Sequence, residues 1–176
     1  MKPIILCGLP SSGKTTVGQK LSAHLQWPFI DIDQRVEQAY RSLKGYSLSC
    51  RDIFKQEGIQ FFRALEKQQI HLMESGQHII SLGGGSVLDE GNRRYLIDLG
   101  FIFYLQTSVE EIWKRMQQKE LPAYLSPKNA QQDLHQLAEI RLPIYESVAH
   151  FIVPTEGLNE NQVVQSILEI RNEQNG

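Results

Sequence analysis

The sequence predicts an α/β protein built as a parallel sheet with helices on both faces. Three observations carry that prediction. Short apolar runs alternate with longer stretches of helical period along the 176 residues, the pattern of strands joined by crossover helices. The first run, Ile4-Ile5-Leu6-Cys7, passes straight into Gly8-Leu9-Pro10-Ser11-Ser12-Gly13-Lys14-Thr15, an unbroken G-x-x-x-x-G-K-[ST]. Val17, Leu21 and Leu25 then repeat at helical spacing. Strand, glycine loop and helix in that order are the setting of a phosphate-binding loop.

The elements follow in order. The first strand covers about 3–7 and the first helix runs from 16 to 25, where Trp27-Pro28 breaks it. A short second strand at 29–33 ends in carboxylates. A helix over 34–42 leads into an irregular connection with Gly45 as breaker. A helical stretch begins at 51–54, and a longer helix covers 58–75. The third strand, 77–82, is closed by Gly83-Gly84-Gly85. A helix over 89–99 precedes the fourth strand at 101–105. Ser108 is a good N-cap, with Glu110 and Glu111 in the first turn, for a helix to about 118. Residues 119–129 hold two prolines and no clear period. A long helix to about 145, a fifth strand at 151–153 and a helix over 160–171 complete the chain. Ligands of such sheets bind beyond the carboxyl ends of the strands.

Composition narrows the partners. A net charge of -2, with 22% charged residues and no basic block, points away from nucleic acid and from an anionic membrane surface. No apolar stretch reaches the ~20 residues of a membrane span. Lys2 and the apolar run after it resemble a signal peptide only faintly, since the run ends at the glycine loop. Cys7 and Cys50 form neither a disulfide framework nor a metal signature and fit a reducing cytosol. The expectation is a cytoplasmic protein, one domain over 1–176, and most simply a monomer.

The loop defines half of the chemistry. Gly8 and Gly13 let the backbone curl so that successive N–H groups meet phosphate oxygens, and the helix start adds its dipole. Lys14 supplies a point charge to the β/γ phosphates, and the Thr15 hydroxyl is placed to ligate Mg²⁺. Ser11, Ser12 and Thr16 complete the expected nucleotide contacts. The third strand, Ile79-Ile80-Ser81-Leu82, ends in glycine where many ATPases carry an acid, so Asp31 is the candidate acid near the metal. No N-K-x-D element for guanine is present, which leaves ATP.

Three further motifs fall at strand ends. Asp31 and Asp33, two apart in a strand, face one side, and one of them could orient or deprotonate an acceptor hydroxyl. They could equally be solvated loop acids, with Asp33 capping the next helix. Gly83, Gly84 and Gly85 allow a ligand close to the backbone or simply make a tight turn. Arg63 and Arg141 could fork a carboxylate. Arg141 shares an apolar stripe with Leu134, Leu137 and Ala138, which suggests an inward-facing, paired group. For Arg63 and Glu66 an ordinary surface i,i+3 pair is the plain alternative.

Taken together, the phosphate loop, Asp31-x-Asp33, Asp52-Ile53-Phe54, Phe62-Arg63-x-x-Glu66, Gly83-Gly84-Gly85 and Arg141-x-Pro143-x-Tyr145 resemble shikimate kinase over nearly the whole chain. The resemblance implies a three-layer, nucleoside-monophosphate-kinase-like fold with strand order 2-3-1-4-5, and transfer of the ATP γ-phosphate to the 3-hydroxyl of shikimate. It implies Lys14 and Asp33 as catalytic residues, Asp31 supporting Mg²⁺ with Thr15, and Arg63 and Arg141 on the shikimate carboxylate. Gly83, Gly84 and Gly85 would line the pocket, Glu66 would support it, and Arg115 would pack on adenine. A substrate-binding region over about 33–62 and a lid over about 119–129 follow. The family's lid reads Arg-Pro-Leu-Leu, whereas this chain has Leu121-Pro122-Ala123-Tyr124-Leu125, with Lys119 and Lys128 as the nearest cations. The family's Gly-Glu before the Phe-Arg motif is Gly58-Ile59 here. A gluconate or nucleotide kinase, and a nucleotide-binding module without transfer activity, are the other two readings.

Overall fold

A computed structural model describes residues 2–118, 121–122 and 124–174. The strands β1 (Ile4–Cys7), β2 (Phe29–Asp31), β3 (Ile79–Ser81), β4 (Phe101–Gln106) and β5 (Phe151–Pro154) form one sheet in the order β2-β3-β1-β4-β5. Each neighbouring pair is parallel, with Ile4 in register with both Ile79 and Phe101. A parallel sheet is covered on both faces, so its strands read as apolar runs. Alternation within β1 shows the two cores directly. Ile5 and Cys7 join one cluster, while Ile4 and Leu6 join the other.

The cluster around Ile4 and Leu6 is completed by α1 (Lys14–Leu25) and α7 (Glu160–Glu173), through Val17, Leu21, Val163 and Ile167. On the opposite face lie α2 (Ile32–Lys44), α3 (Cys50–His71), α4 (Glu90–Leu99), α5 (Val109–Met116) and α6 (Ala130–Val148). This is the three-layer arrangement expected. Among the described residues no helix is long and apolar enough to cross a membrane.

Several boundaries differ from the sequence expectation for stated reasons. The second strand stops at Asp31, because the Asp31 carboxylate caps α2 by accepting from the N–H groups of Asp33 and Gln34. Asp33 therefore lies in the first turn of a helix and not on the strand. Gly45, at φ 83°, ends α2 two residues later than predicted. The stretches expected as separate helices at 51–54 and 58–75 form one element, α3, interrupted at Gly58 (φ 83°, ψ 168°) and ending four residues earlier, at His71. A 3₁₀ turn at Ser86–Leu88 follows the three glycines. The helix capped by Ser108 ends at Met116.

Candidate active site

A cleft of about 650 Å³ opens beyond the carboxyl ends of the strands. At one end lies the phosphate loop. Gly8 (φ 145°), Ser11 (φ 63°) and Gly13 (φ 97°) turn the backbone around the first turn of α1. Lys14, 8% exposed, donates from Nζ to the carbonyls of Gly8 (3.0 Å) and Leu9 (2.8 Å). Its own loop thus holds the ammonium at the mouth of the anion cradle. Burial pushes the Lys14 pKa down to about 8, and the negative charge of Asp33 works against that shift.

Thr15 and Asp31 meet as predicted: Thr15 Oγ1 donates to Asp31 Oδ2 at 2.9 Å, while Asp31 Oδ1 accepts from the amides of α2. A hydroxyl and a helix-anchored carboxylate form an all-oxygen donor pair, which suits Mg²⁺ better than a softer ion. Among the described residues no cluster of three or more His, Cys, Asp or Glu is grouped to hold a metal. An ion at Thr15 and Asp31 would take its remaining ligands from phosphate and water. Arg115 ties α5 to the loop, with Nε donating to Glu111 (3.0 Å) and Nη1 to the Ser11 carbonyl (3.3 Å). It lines the cleft next to the loop.

Asp33 lines the centre of the cleft. It is open to water there, but protein crowds the rest of the group. That withdrawal from bulk solvent, with the charges of Asp31 and Glu66, raises its carboxyl to about 6. At the neighbouring Cys50, burial, with Asp33 and Glu37 nearby, pushes the thiol above its ordinary range.

The other end of the cleft is built on a buried carboxylate. Glu66, 1% exposed, accepts from Arg63 Nη1 (2.5 Å) and Ser86 Oγ (2.7 Å). The Arg63–Glu66 pair is therefore not the solvated surface pair that its spacing allowed. Ser86 was not singled out from the sequence, because the 3₁₀ turn that aims it inward has no period. Arg141 is 7% exposed, donates from Nη1 to the Gly84 carbonyl (3.1 Å), and shares that acceptor with the Tyr145 hydroxyl. The inward, paired guanidinium read from the apolar stripe is present.

The three glycines are explained by contact distance and not by unusual backbone angles. A Cβ at Gly83 would stand 2.7 Å from Asp33 Oδ1 and 2.8 Å from Glu66 Oε1. At Gly84 it would meet the Pro10 ring at 2.8 Å, and at Gly85 the guanidinium carbon of Arg63 at 2.6 Å. Glycine lets this turn lie against the loop, the central acid and the arginine at once.

Of the stretch read as a lid, Lys119 lies outside the described residues and Lys128 is exposed. Leu121, where the resembled family has arginine, packs against the large core cluster. Leu125 is 4% exposed and anchors the segment. Pro122 and Tyr124 line the cleft, and the Tyr124 ring centroid lies 5.4 Å from the Arg141 guanidinium. Tyr124 was missed because the segment has no hydrophobic period to single it out.

Comparison with known proteins identifies the family. A sequence model of the shikimate kinase family matches residues 10–171. Shikimate kinase of Haemophilus influenzae is 37% identical over 175 residues, 98% of this chain and 94% of that protein. The solved shikimate kinase from Acinetobacter baumannii, in complex with shikimate, superposes with a TM-score of 0.90 at 30% identity, over 99% of this chain and 94% of that one. The solved shikimate kinase from Aquifex aeolicus gives a TM-score of 0.75 at 31% identity, over 94% of each chain.

Proposed function

The chain belongs to the shikimate kinase family, and from that premise we propose how its residues divide the work. It is an ATP-dependent phosphotransferase with an alcohol acceptor, moving the γ-phosphate of ATP to the 3-hydroxyl of shikimate to give shikimate 3-phosphate and ADP. The observation that carries the assignment of roles is the convergence of Arg63, Arg141 and Asp33 on a cleft whose other end is the phosphate loop. A small carboxylic acid with hydroxyls fits that array: two guanidiniums for the carboxylate, and one carboxylate for the reacting hydroxyl.

Gly8, Ser11, Ser12, Gly13, Thr15 and Thr16 cradle the ATP phosphates, and Arg115 packs on the base. Lys14 leaves the Gly8 and Leu9 carbonyls for the β/γ phosphates and carries positive charge to the transferring group. Arg63 and Arg141 fork the shikimate carboxylate and set the ring against Gly83, Gly84 and Gly85. Glu66 aims Arg63 while Ser86 holds Glu66. Asp33 accepts a hydrogen bond from the attacking hydroxyl, turns its oxygen in line with the γ-phosphorus and takes the proton as the bond forms. Thr15 and Asp31 are the residues that would hold Mg²⁺, which when bound neutralises phosphate charge. Residues 1–176 act as one kinase domain, with the helices over 33–62 supplying the acceptor wall and 119–129 the lid. We infer a cytoplasmic monomer, in keeping with its two free cysteines.

ADP release from ATP and Mg²⁺ tests the assignment, measured with shikimate, gluconate or a nucleoside monophosphate as acceptor. Stimulation by shikimate alone is expected. ATP binding without stimulation by shikimate would overturn it.

A further inference from the structure

Resting on the reading of Arg141 as a carboxylate ligand, we infer that Tyr124 is a positioning residue for the acceptor, holding the Arg141 guanidinium in the plane a carboxylate needs. Arg141 is fixed on two sides. The Gly84 carbonyl accepts from Nη1 at 3.1 Å, and the Tyr124 ring covers the guanidinium with its centroid 5.4 Å away. One contact fixes an edge of the guanidinium and the other fixes its face. Together they remove the rotation that a long side chain otherwise keeps. Both residues line the cleft.

The two contacts come from different parts of the chain. Gly84 belongs to the turn after β3, whereas Tyr124 belongs to the irregular segment between α5 and α6. That segment is anchored next door by buried Leu125 and by the turn in which the Leu125 N–H donates to the Pro122 carbonyl at 3.1 Å. Pro122 and Leu125 flank Tyr124 in this turn. The ring contributes through its quadrupole and its shape, and the Tyr124 hydroxyl adds a side-chain hydrogen bond from Arg141.

The test compares Tyr124→Phe, Tyr124→Leu, Arg141→Ala and the double variant Tyr124→Leu/Arg141→Ala with the wild-type enzyme. Tyr124 is 36% exposed, so its single variants keep the core. Steady-state constants are measured for ATP, for shikimate and for shikimate methyl ester, which lacks the anionic carboxylate. Tyr124→Leu should raise the KM for shikimate about five- to tenfold. The KM for ATP should stay within about twofold, and preference for shikimate over its ester should fall by the same factor as the shikimate KM rises. Tyr124→Phe, which keeps the ring and loses the hydroxyl's bond to Arg141, should raise the shikimate KM less than Tyr124→Leu, and Tyr124→Leu should add nothing once Arg141 is alanine. The inference is overturned by any of three results: an unchanged shikimate KM in Tyr124→Leu, parallel rises for ATP and shikimate, or additive losses in the double variant. If Arg141→Ala left shikimate binding intact, the carboxylate reading itself would fail and this inference with it. A wild-type enzyme indifferent to shikimate would be a separate failure, that of the proposed acceptor.

Discussion

Gly85→Ala adds one methyl group and should separate folding from acceptor binding. The residue sits at φ -110°, ψ 0°, which alanine adopts without strain. The new Cβ would meet the guanidinium of Arg63, with Cζ at 2.6 Å. Arg63 is at the far end of a flexible chain and is 29% exposed, so it moves and the backbone stays. Glu66, 1% exposed, then keeps only the Ser86 hydroxyl. A lost charge-assisted hydrogen bond to a carboxylate that stays buried is worth about 2–3 kcal/mol, or about 4–12 °C in Tm for a chain of this size. Loss of one arm of the carboxylate fork should weaken shikimate by about 10- to 150-fold. Thermal unfolding gives the first quantity, and the shikimate KM with ATP saturating gives the second. ATP affinity should hold, because the loop is not touched. Gly84→Ala is the control: its Cβ would strike the Pro10 ring at 2.8 Å, which cannot swing aside, so both substrates should suffer. A Gly85→Ala enzyme that binds shikimate as tightly as wild type would refute the reasoning.

Four other outcomes follow from the same geometry. Asp33→Asn should cut kcat by about 10²–10⁴ while isothermal titration finds ATP affinity within about threefold of wild type; near-normal turnover would remove Asp33 from the reaction. The kcat/KM for shikimate should fall as pH drops through about 6, where the raised Asp33 carboxyl takes up its proton, and a profile flat down to pH 5 would exclude that group. The kcat/KM for ATP should fall above about pH 8, where Lys14 of the free enzyme loses its proton, while kcat at saturating ATP extends further because bound phosphate raises that pKa. Glu66→Ala should lower Tm by about as much as Gly85→Ala, since it removes the partner of both Arg63 and Ser86, and Glu66→Gln should restore part of that stability through the Ser86 bond.

The sheet order and the nucleotide end were legible because they rest on local pattern. The run from Ile4 to Thr15 carries its own strand, turn and helix start, and Thr15 needs only the next strand end to find Asp31. The acceptor end was legible in its residue types but not in its physics. Asp33 was placed on a strand because alternation cannot reveal that Asp31 turns its side chain back to cap α2. Arg63 and Glu66 have the spacing of a surface pair, and only the packing of the turn after β3 buries Glu66. The glycines announced a close approach without saying to what. Tyr124 left no trace, since its importance lies in a partner seventeen residues away across an aperiodic segment.

The break at Gly58 has a consequence for how this enzyme could change its acceptor. Phe54 and Arg63 both line the cleft, yet they are nine positions apart in α3. In an unbroken helix, at about 100° per residue, nine positions leave two side chains about 180° out of phase, on opposite faces. The interruption resets the azimuth, so two halves of one element contribute to the same wall. A Cβ at Gly58 would meet nothing within 4 Å, but φ 83° with ψ 168° is a region that essentially only glycine adopts, so a substitution there costs about 1–3 kcal/mol of backbone strain. The apolar side of the acceptor wall can thus be re-phased against its charged side by altering one half-buried residue outside the cleft lining, leaving the residues that touch substrate unchanged. In this fold, specificity can drift by rotation before it drifts by replacement.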